Sequence, residues 1–302
     1  MTESPTVSVI IPSFKMGRYI GKALESVGCQ TRGDWEVIVV DDCGPEDGTR
    51  AAVEAFAARF PSHRVEWIRH ETNRGVSAAR NTAIAASNGE FLAFLDPDDL
   101  WAETYLEEHM TVLARDRGLA VSYTDARYID ESGAITGGIW GPSIKDLDSW
   151  PDGLYMRNFI NPSMALARAS VVRDTGGFDE TPELQHVEDW DLWLRLVALG
   201  ERFAYTPSAI GHYRRHEAAA TSNVLKISLR TKVLREKHLE TADFRRFMAA
   251  YVTDLEQKCG HLEWLLGQPM CKRIRDRAVG VVKGALRRPI RWFAELVARP
   301  GK

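Results

Sequence analysis

Residues 7–11 form a nearly unbroken apolar run, and residues 36–40 repeat it behind a single charge at Glu36. Runs of this length and β-branched content predict strands covered on both faces, as in a parallel sheet. Residues 65–68 and 91–95 supply two more strands, and residues 18–27, 48–60 and 76–87 have helical length and spacing between them. Asp47 and Ser77 stand near helix starts, where such side chains cap free N–H groups, and Asn88-Gly89 predicts a stop. The rhythm is that of βαβ units around a mainly parallel sheet, an α/β fold.

From 119 to 139 Thr, Tyr and Val alternate, with Glu131-Ser132-Gly133 as a hairpin turn. The Pro/Gly/Asp-rich stretch 137–153 predicts a long surface loop beside a site. Residues 189–198 predict an amphipathic helix with Trp190, Trp193, Leu194 and Val197 on one face. Beyond about 218 the pattern is helical throughout. This divides the chain into a body, 1–217, with halves at about 1–100 and 101–217, and a helical region, 218–302.

With 302 residues, 44% hydrophobic and 27% charged, the chain has the composition of a folded globular protein, which excludes a disordered or collagen-like one. No stretch approaches the roughly 18 apolar residues of a membrane span, and no basic segment precedes the first apolar run; the expectation is a cytoplasmic protein. Cys29, Cys43, Cys259 and Cys271 form no CxxC pair, which predicts free thiols rather than a disulfide frame or zinc site. The net charge of −3 hides an asymmetry: residues 270–302 carry ten basic side chains against Asp276 and Glu295, so the rest is near −11. Apolar residues from Ile274 to Val297 recur at helical spacing within that basic tail, the pattern of an interfacial helix peripheral on an anionic membrane, although Gly280, Gly284 and Pro289 interrupt it. Nucleic acid is not expected as a partner, because the body is acidic.

In an open parallel sheet, ligands bind beyond the carboxyl ends of the strands. There the sequence places Pro12-Ser13-Phe14, then Asp41-Asp42-Cys43-Gly44, then Asp96-Pro97-Asp98-Asp99. Carboxylates crowded at one edge repel each other unless a cation or hydrogen-bond donors offset them. Neither GxGxxG nor GxxxxGK[ST] is present, which removes a dinucleotide-dependent dehydrogenase and a P-loop NTPase. Asp-x-Asp-Asp can instead hold a diphosphate through Mg²⁺ or Mn²⁺.

Five segments, Val7-Ser8-Val9-Ile10-Ile11-Pro12-Ser13-Phe14, Val39-Val40-Asp41-Asp42, Asn73-Arg74-Gly75-Val76-Ser77-Ala78-Ala79-Arg80-Asn81, Leu95-Asp96-Pro97-Asp98-Asp99 and Glu188-Asp189-Trp190-Asp191-Leu192-Trp193, resemble in order and spacing the family 2 inverting glycosyltransferases of the GT-A fold. The likeness spans about 5–217. It implies that Pro12 and Phe14 border a nucleobase pocket, with Phe14 and Lys15 replacing the commoner Tyr and Asn and Cys43 a usual Gly or Asn. It implies that Asp41 and Asp42 face the nucleotide, with Asp42 accepting from the base, typically uracil, and that Arg80 approaches the nucleotide. Asp96 and Asp98 would bind the metal, with His216 of Gly211-His212-Tyr213-Arg214-Arg215-His216 a further candidate ligand, and Asp99 would lie beside ribose or sugar.

Transfer with inversion needs a base on the face opposite the departing diphosphate. By resemblance Asp189 is that base, with Glu188 beside it; burial by Trp190 and Trp193 would be needed to keep a carboxylate at a helix start basic. Asp191 is expected only to solvate the helix. Trp101, Trp140 and Trp150, in loop-like surroundings, are candidates for stacking on an acceptor sugar. The resulting expectation is a metal-dependent transfer from a nucleotide sugar, most simply a UDP-sugar, to a glycan or lipid-linked acceptor in cell-surface polysaccharide synthesis. The alternatives are a sugar-phosphate nucleotidyltransferase, which would want a glycine-rich basic loop after the first strand, and a non-catalytic nucleotide-sugar-binding protein, which would have no use for Asp189.

Overall fold

The computed structural model describes residues 6–208, 211–216 and 224–238. The chain begins with three strand–helix units, β1 (Val7–Ser13), α1 (Gly17–Gly28), β2 (Trp35–Asp41), α2 (Thr49–Arg59), β3 (Val65–Arg69) and α3 (Val76–Ala86), followed by β4 (Phe91–Phe94). β5 (Leu100–Trp101), α4 (Tyr105–Arg115), β6 (Leu119–Tyr123), β7 (Ala126–Ile129) and β8 (Ile135–Trp140) come next. Short helices α5 (Ile144–Asp148) and α6 (Asp152–Met156) lead to β9 (Ala165–Arg168) and α7 (Ala169–Asp174). α8 (Glu188–Ala198), β10 (Arg202–Tyr205), β11 (Gly211–Arg214) and α9 (Val224–His238) complete the described elements.

The main sheet has the order β10-β6-β9-β4-β1-β2-β3. β1 pairs in parallel with β2 and β4, and β2 with β3. β9 runs antiparallel between β4 and β6. This is the mostly parallel, helix-flanked sheet that the sequence predicts. β1 and β2 are buried along their whole length, because alternate side chains enter different cores. Val7, Val9 and Ile11 join α1, α2 and α4 on one face, while Ile10, Ile38 and Val40 join α3 and α8 on the other. A smaller sheet, β5-β11-β7-β8, stands beside the first.

Several local expectations change. Asp47 accepts from the Thr49 amide as anticipated, but also from the Gly17 amide, so it joins two helix starts. Ser77 caps nothing: α3 starts after Gly75, and the Ser77 hydroxyl is buried without a hydrogen bond. The stretch 137–153 is largely ordered, since β8 extends through Trp140 and a reciprocal Ser143/Asp146 cap starts α5. Trp101 is buried, stacked on Tyr105 at 4.4 Å with its indole N–H on the Ser163 carbonyl, and Trp150 packs against Tyr123, Phe159 and Phe203. Trp101 is thus a core residue, and Trp150 is half-buried with its ring held by three aromatic partners. Cys29 and Cys43 are free thiols. Cys259, Cys271 and the basic tail from 270 lie outside the described residues, as does the boundary near 218. α9 packs on the body, with Leu234 buried in the core that holds Trp190 and Trp193. No described helix is long and apolar enough to cross a membrane.

Candidate active site

A cavity of about 410 Å³ opens beyond the carboxyl ends of β1, β2 and β4. Pro12, Phe14, Asp42, Arg80, Asp96, Asp98, Glu188 and Asp189 all line it, so residues spread over 178 positions of sequence meet in one place.

The loop after β2 explains the two adjacent aspartates. Asp41 does not line the cavity; its carboxylate accepts from the Gly44 amide at 2.8 Å and pairs with Arg69 at 3.2 Å. That corrects the expectation of a nucleotide-facing Asp41: it shapes the turn. Asp42 does line the cavity. Its Oδ1 accepts from the Arg74 amide (2.8 Å) and the His70 ring (2.7 Å), and its Oδ2 from the Gly75 amide (2.7 Å). A non-glycine Cβ at Gly75, where φ is +92°, would stand 2.3 Å from the Gln185 carboxamide nitrogen, so glycine is required for this approach.

The loop after β4 separates its three aspartates. Arg80, buried on α3, donates to Asp96 at 2.6 Å through one terminal nitrogen and to Glu188 at 2.5 Å through the other. Arg80 therefore lines the cavity with its fork bound to two carboxylates. Asp98 accepts from the His216 ring at 2.9 Å and keeps a partly exposed carboxylate. Asp99 is buried away from the cavity, which corrects its expected place beside the sugar. It accepts from the Arg214 amide, its second oxygen has no partner, and burial followed by the charges of Asp98 and Asp96 holds its pKa well above the carboxylate range. Arg214 also donates to the Asp98 carbonyl, so β11 braces this loop from both sides.

The metal expectation is narrowed by the same geometry. Among the described residues no three His, Cys, Asp or Glu side chains converge to hold an ion, because Asp96 is turned to Arg80. Asp98 at the cavity wall and the buried His216 ring behind it remain as one oxygen and one nitrogen donor. That pair fits a Mn²⁺- or Mg²⁺-type ion only if the remaining ligands come from a bound diphosphate and water.

Asp189 lies at the start of α8 and is buried, the condition for a carboxylate there to stay basic. Burial first and the neighbouring Glu188 second raise its pKa to about 7, against Arg80, the Trp190 amide and Asn158, which favour the charged form. Asn158 donates to its Oδ2 at 2.7 Å. Trp190 and Trp193 donate to the carbonyls of Leu154 and Ile160, which fixes both rings in the core. Asp191 is not a solvated cap. It is fully buried and binds Arg195, Lys237 and His238, an arrangement that pushes its pKa down although burial alone would raise it.

Five cavity residues were not anticipated: Met16, Asn161, Pro162, Gln185 and His186. Asn161 precedes β9, and because β9 runs backwards its entering end lies where the parallel strands finish. The dipeptide Asn161-Pro162 was a usable turn signal.

The sequence profile described as Glycosyl transferase family 2 matches residues 8–175. A putative teichuronic acid biosynthesis glycosyltransferase of Bacillus subtilis, TuaG, is 28% identical over 227 residues, 75% of this chain and 86% of the relative. The Escherichia coli UDP-Glc:alpha-D-GlcNAc-diphosphoundecaprenol beta-1,3-glucosyltransferase WfgD is 28% identical over 223 residues, 73% of this chain and 81% of the relative. Among solved structures, the mannosyltransferase PcManGT of Pyrobaculum calidifontis, in complex with GDP-Man and Mn²⁺, aligns with TM-score 0.64 and 18% identity over 98% of this chain and 79% of its own. S. aureus TarS 1-349 in complex with UDP-GlcNAc aligns with TM-score 0.62 and 18% identity over 93% and 91%. These likenesses place the fold in the GT-A class.

Proposed function

From the premise that this chain belongs to glycosyltransferase family 2, we propose that it is an inverting, metal-assisted transferase carrying sugar from a UDP-sugar to a hydroxyl of a glycan or lipid-linked acceptor, in cell-surface polysaccharide synthesis. The observation that carries this reading is Asp189. Its carboxylate, with a pKa near 7, shares a cavity with Asp42 and Asp98. A group of that basicity at neutral pH is suited to receive a hydroxyl proton.

Asp42 supports uracil as the base. Its Oδ1 already accepts two hydrogen bonds and its Oδ2 one, so a single further donor is accommodated. Uracil presents one ring N–H, whereas guanine presents two parallel donors that call for both oxygens. Phe14, 40% exposed at the rim, offers a ring face for the base.

Asp98 and His216 would hold the metal, and the ion when bound would offset charge on the departing diphosphate. Arg80 pairs with Asp96 and Glu188 beside it. Asp189 takes the acceptor proton as the acceptor oxygen bonds to the anomeric carbon and the bond to the diphosphate breaks. Trp140, stacked on the cavity residue Tyr213 with ring centroids 6.2 Å apart, is the tryptophan of the original three that remains a sugar platform. The names of TuaG and WfgD support a polysaccharide or diphosphoundecaprenol-linked acceptor. The peripheral membrane reading rests on the basic tail alone, and a chain truncated after Gln268 should sediment less with anionic liposomes.

The deciding experiment is nucleotide-sugar turnover across UDP- and GDP-sugars with Mn²⁺ or Mg²⁺. A UDP-sugar should be consumed, and Asp189→Asn should abolish transfer without loss of fold. Transfer retained by that folded variant overturns the assignment of the base.

A further inference from the structure

The wall that delivers Asp189 is held from outside the segment matched by the family profile. Gln185 and His186 line the cavity immediately before α8, and His186 has φ +69°, in the left-handed region. Non-glycine residues are uncommon there, and although histidine is among those that adopt it more readily, surrounding contacts help to fix the backbone. Arg230 of α9 donates to the Gln185 carbonyl, the bond next to the left-handed residue. The Gln185 carboxamide lies against Gly75, whose amide binds Asp42. Val187 closes the turn by donating to the Leu184 carbonyl.

Further along α9, Arg235 lies over the Trp190 ring and donates to the Met156 carbonyl. Lys237 binds both Asp179 and Asp191, and His238 binds Asp191. Three basic residues of one helix thus reach the two neighbours that follow Asp189 in sequence, while Arg230 reaches the segment that precedes it. A solvated helix docked only through Leu234 would need none of these contacts.

We infer that Arg230 is a positioning residue of the transfer reaction: through the Gln185 carbonyl it fixes the left-handed turn at His186, and so sets where Asp189 stands against the acceptor while Gln185 stays against the donor side. This rests on Asp189 as base. Arg230 acts through geometry, because its bond is to the Gln185 carbonyl and not to Asp189 or the reacting atoms. Misplacement by an ångström is enough to lower turnover by up to about a hundredfold.

The test uses the full chain with Arg230→Ala and Arg230→Lys, and three measurements. The first is hydrogen exchange of the amides from 185 to 190. The second is UDP affinity with Mn²⁺, by calorimetry. The third is kcat and KM for the UDP-sugar that the unmodified chain consumes. Arg230→Ala should speed exchange at 185–190 with α3 and the β-strands unchanged, lower kcat at least about tenfold and leave UDP affinity within about threefold. Arg230→Lys, still a donor at that distance, should recover part of both effects. Unchanged exchange at 185–190 overturns the inference whatever the activity. So does a kcat loss matched by an equal loss of UDP affinity and general loss of protection, which marks a merely structural arginine. If the unmodified chain consumes no UDP-sugar, the proposed function fails, and the exchange result still decides whether Arg230 fixes the turn.

Discussion

Arg80 joins Asp96, on the loop after β4, to Glu188, at the start of α8, with one terminal nitrogen on each. The two carboxylates come from opposite halves of the body, so a single guanidinium fastens the β4 side of the cavity to the side carrying Asp189. Burial disfavours its charge, but the two carboxylates outweigh burial and hold the pKa above the usual arginine value. A lysine has no planar fork with which to span both.

Arg80→Lys should therefore fold but lose at least about tenfold in kcat, as one carboxylate is released. Arg80→Ala leaves two uncompensated buried acids and should lose about 3–5 kcal/mol in urea unfolding. Equal activity of the lysine variant and the parent would remove the spanning role.

The pH dependence follows from Asp189. With its folded pKa raised to about 7, the base is protonated and inactive in acid, so kcat/KM should climb through pH 7 and level off above it. The stability sign is opposite. A carboxyl whose folded pKa lies above its unfolded value contributes stability below about pH 4, and that contribution is lost as pH rises through 7. Asp189→Asn should thus narrow the Tm difference between pH 5 and pH 8. A flat kcat/KM profile from pH 5 to 8 in the parent would exclude this carboxylate as the base.

Asp191 has the reverse linkage. Its folded pKa is depressed, so its ion pairs stabilise above pH 4 and weaken as the pH falls below that. Asp191→Ala strands Lys237, Arg195 and His238 and should cost about 3 kcal/mol, the low end for a broken buried pair because Lys237 partly reaches solvent. Chemical denaturation at pH 7 measures it, and a change under about 1 kcal/mol would mean that the cluster carries little.

Chelation separates the metal from the protein ligands. Excess EDTA should abolish turnover, and Asp98→Ala and His216→Ala should each raise the Mn²⁺ concentration needed for half-maximal rate by at least about tenfold. Full activity in chelator would leave Asp98 and His216 as a hydrogen-bonded pair only.

Trp140→Ala should raise acceptor KM with donor KM unchanged, since its contact is with Tyr213 at the cavity rim and not with the nucleotide side. A stacked aromatic is worth about 1 kcal/mol, hence a several-fold effect. Donor KM moving instead would place Trp140 on the wrong substrate.

The sheet was readable because β1 and β2 are apolar on both faces, a signal that survives in composition alone. The motif ends were readable because strand ends gather ligands in this architecture. Asp41 and Asp99 misled because adjacent aspartates look alike in sequence, while the structure turns one of each pair inward to hold a loop. Asn161 was hidden by the direction of β9: the search for residues after strands looks at the wrong end of a strand that runs backwards. Asp191 was misjudged because its cations lie on α9, and no local pattern around 191 announces them. Trp101 and Trp150 sit in short, polar surroundings along the chain, yet each also packs on residues distant in sequence, Trp101 on Ser163 and Trp150 on Tyr123 and Phe203.

The cluster at Asp191 also sets an order in time. His238 follows it by 47 residues, so on a growing chain the anion is made well before Lys237 and His238. Until α9 arrives, Arg195, four residues on in α8 itself, is the one cation of the cluster within reach, so the set of contacts that buries Asp191 is complete only once α9 has been made.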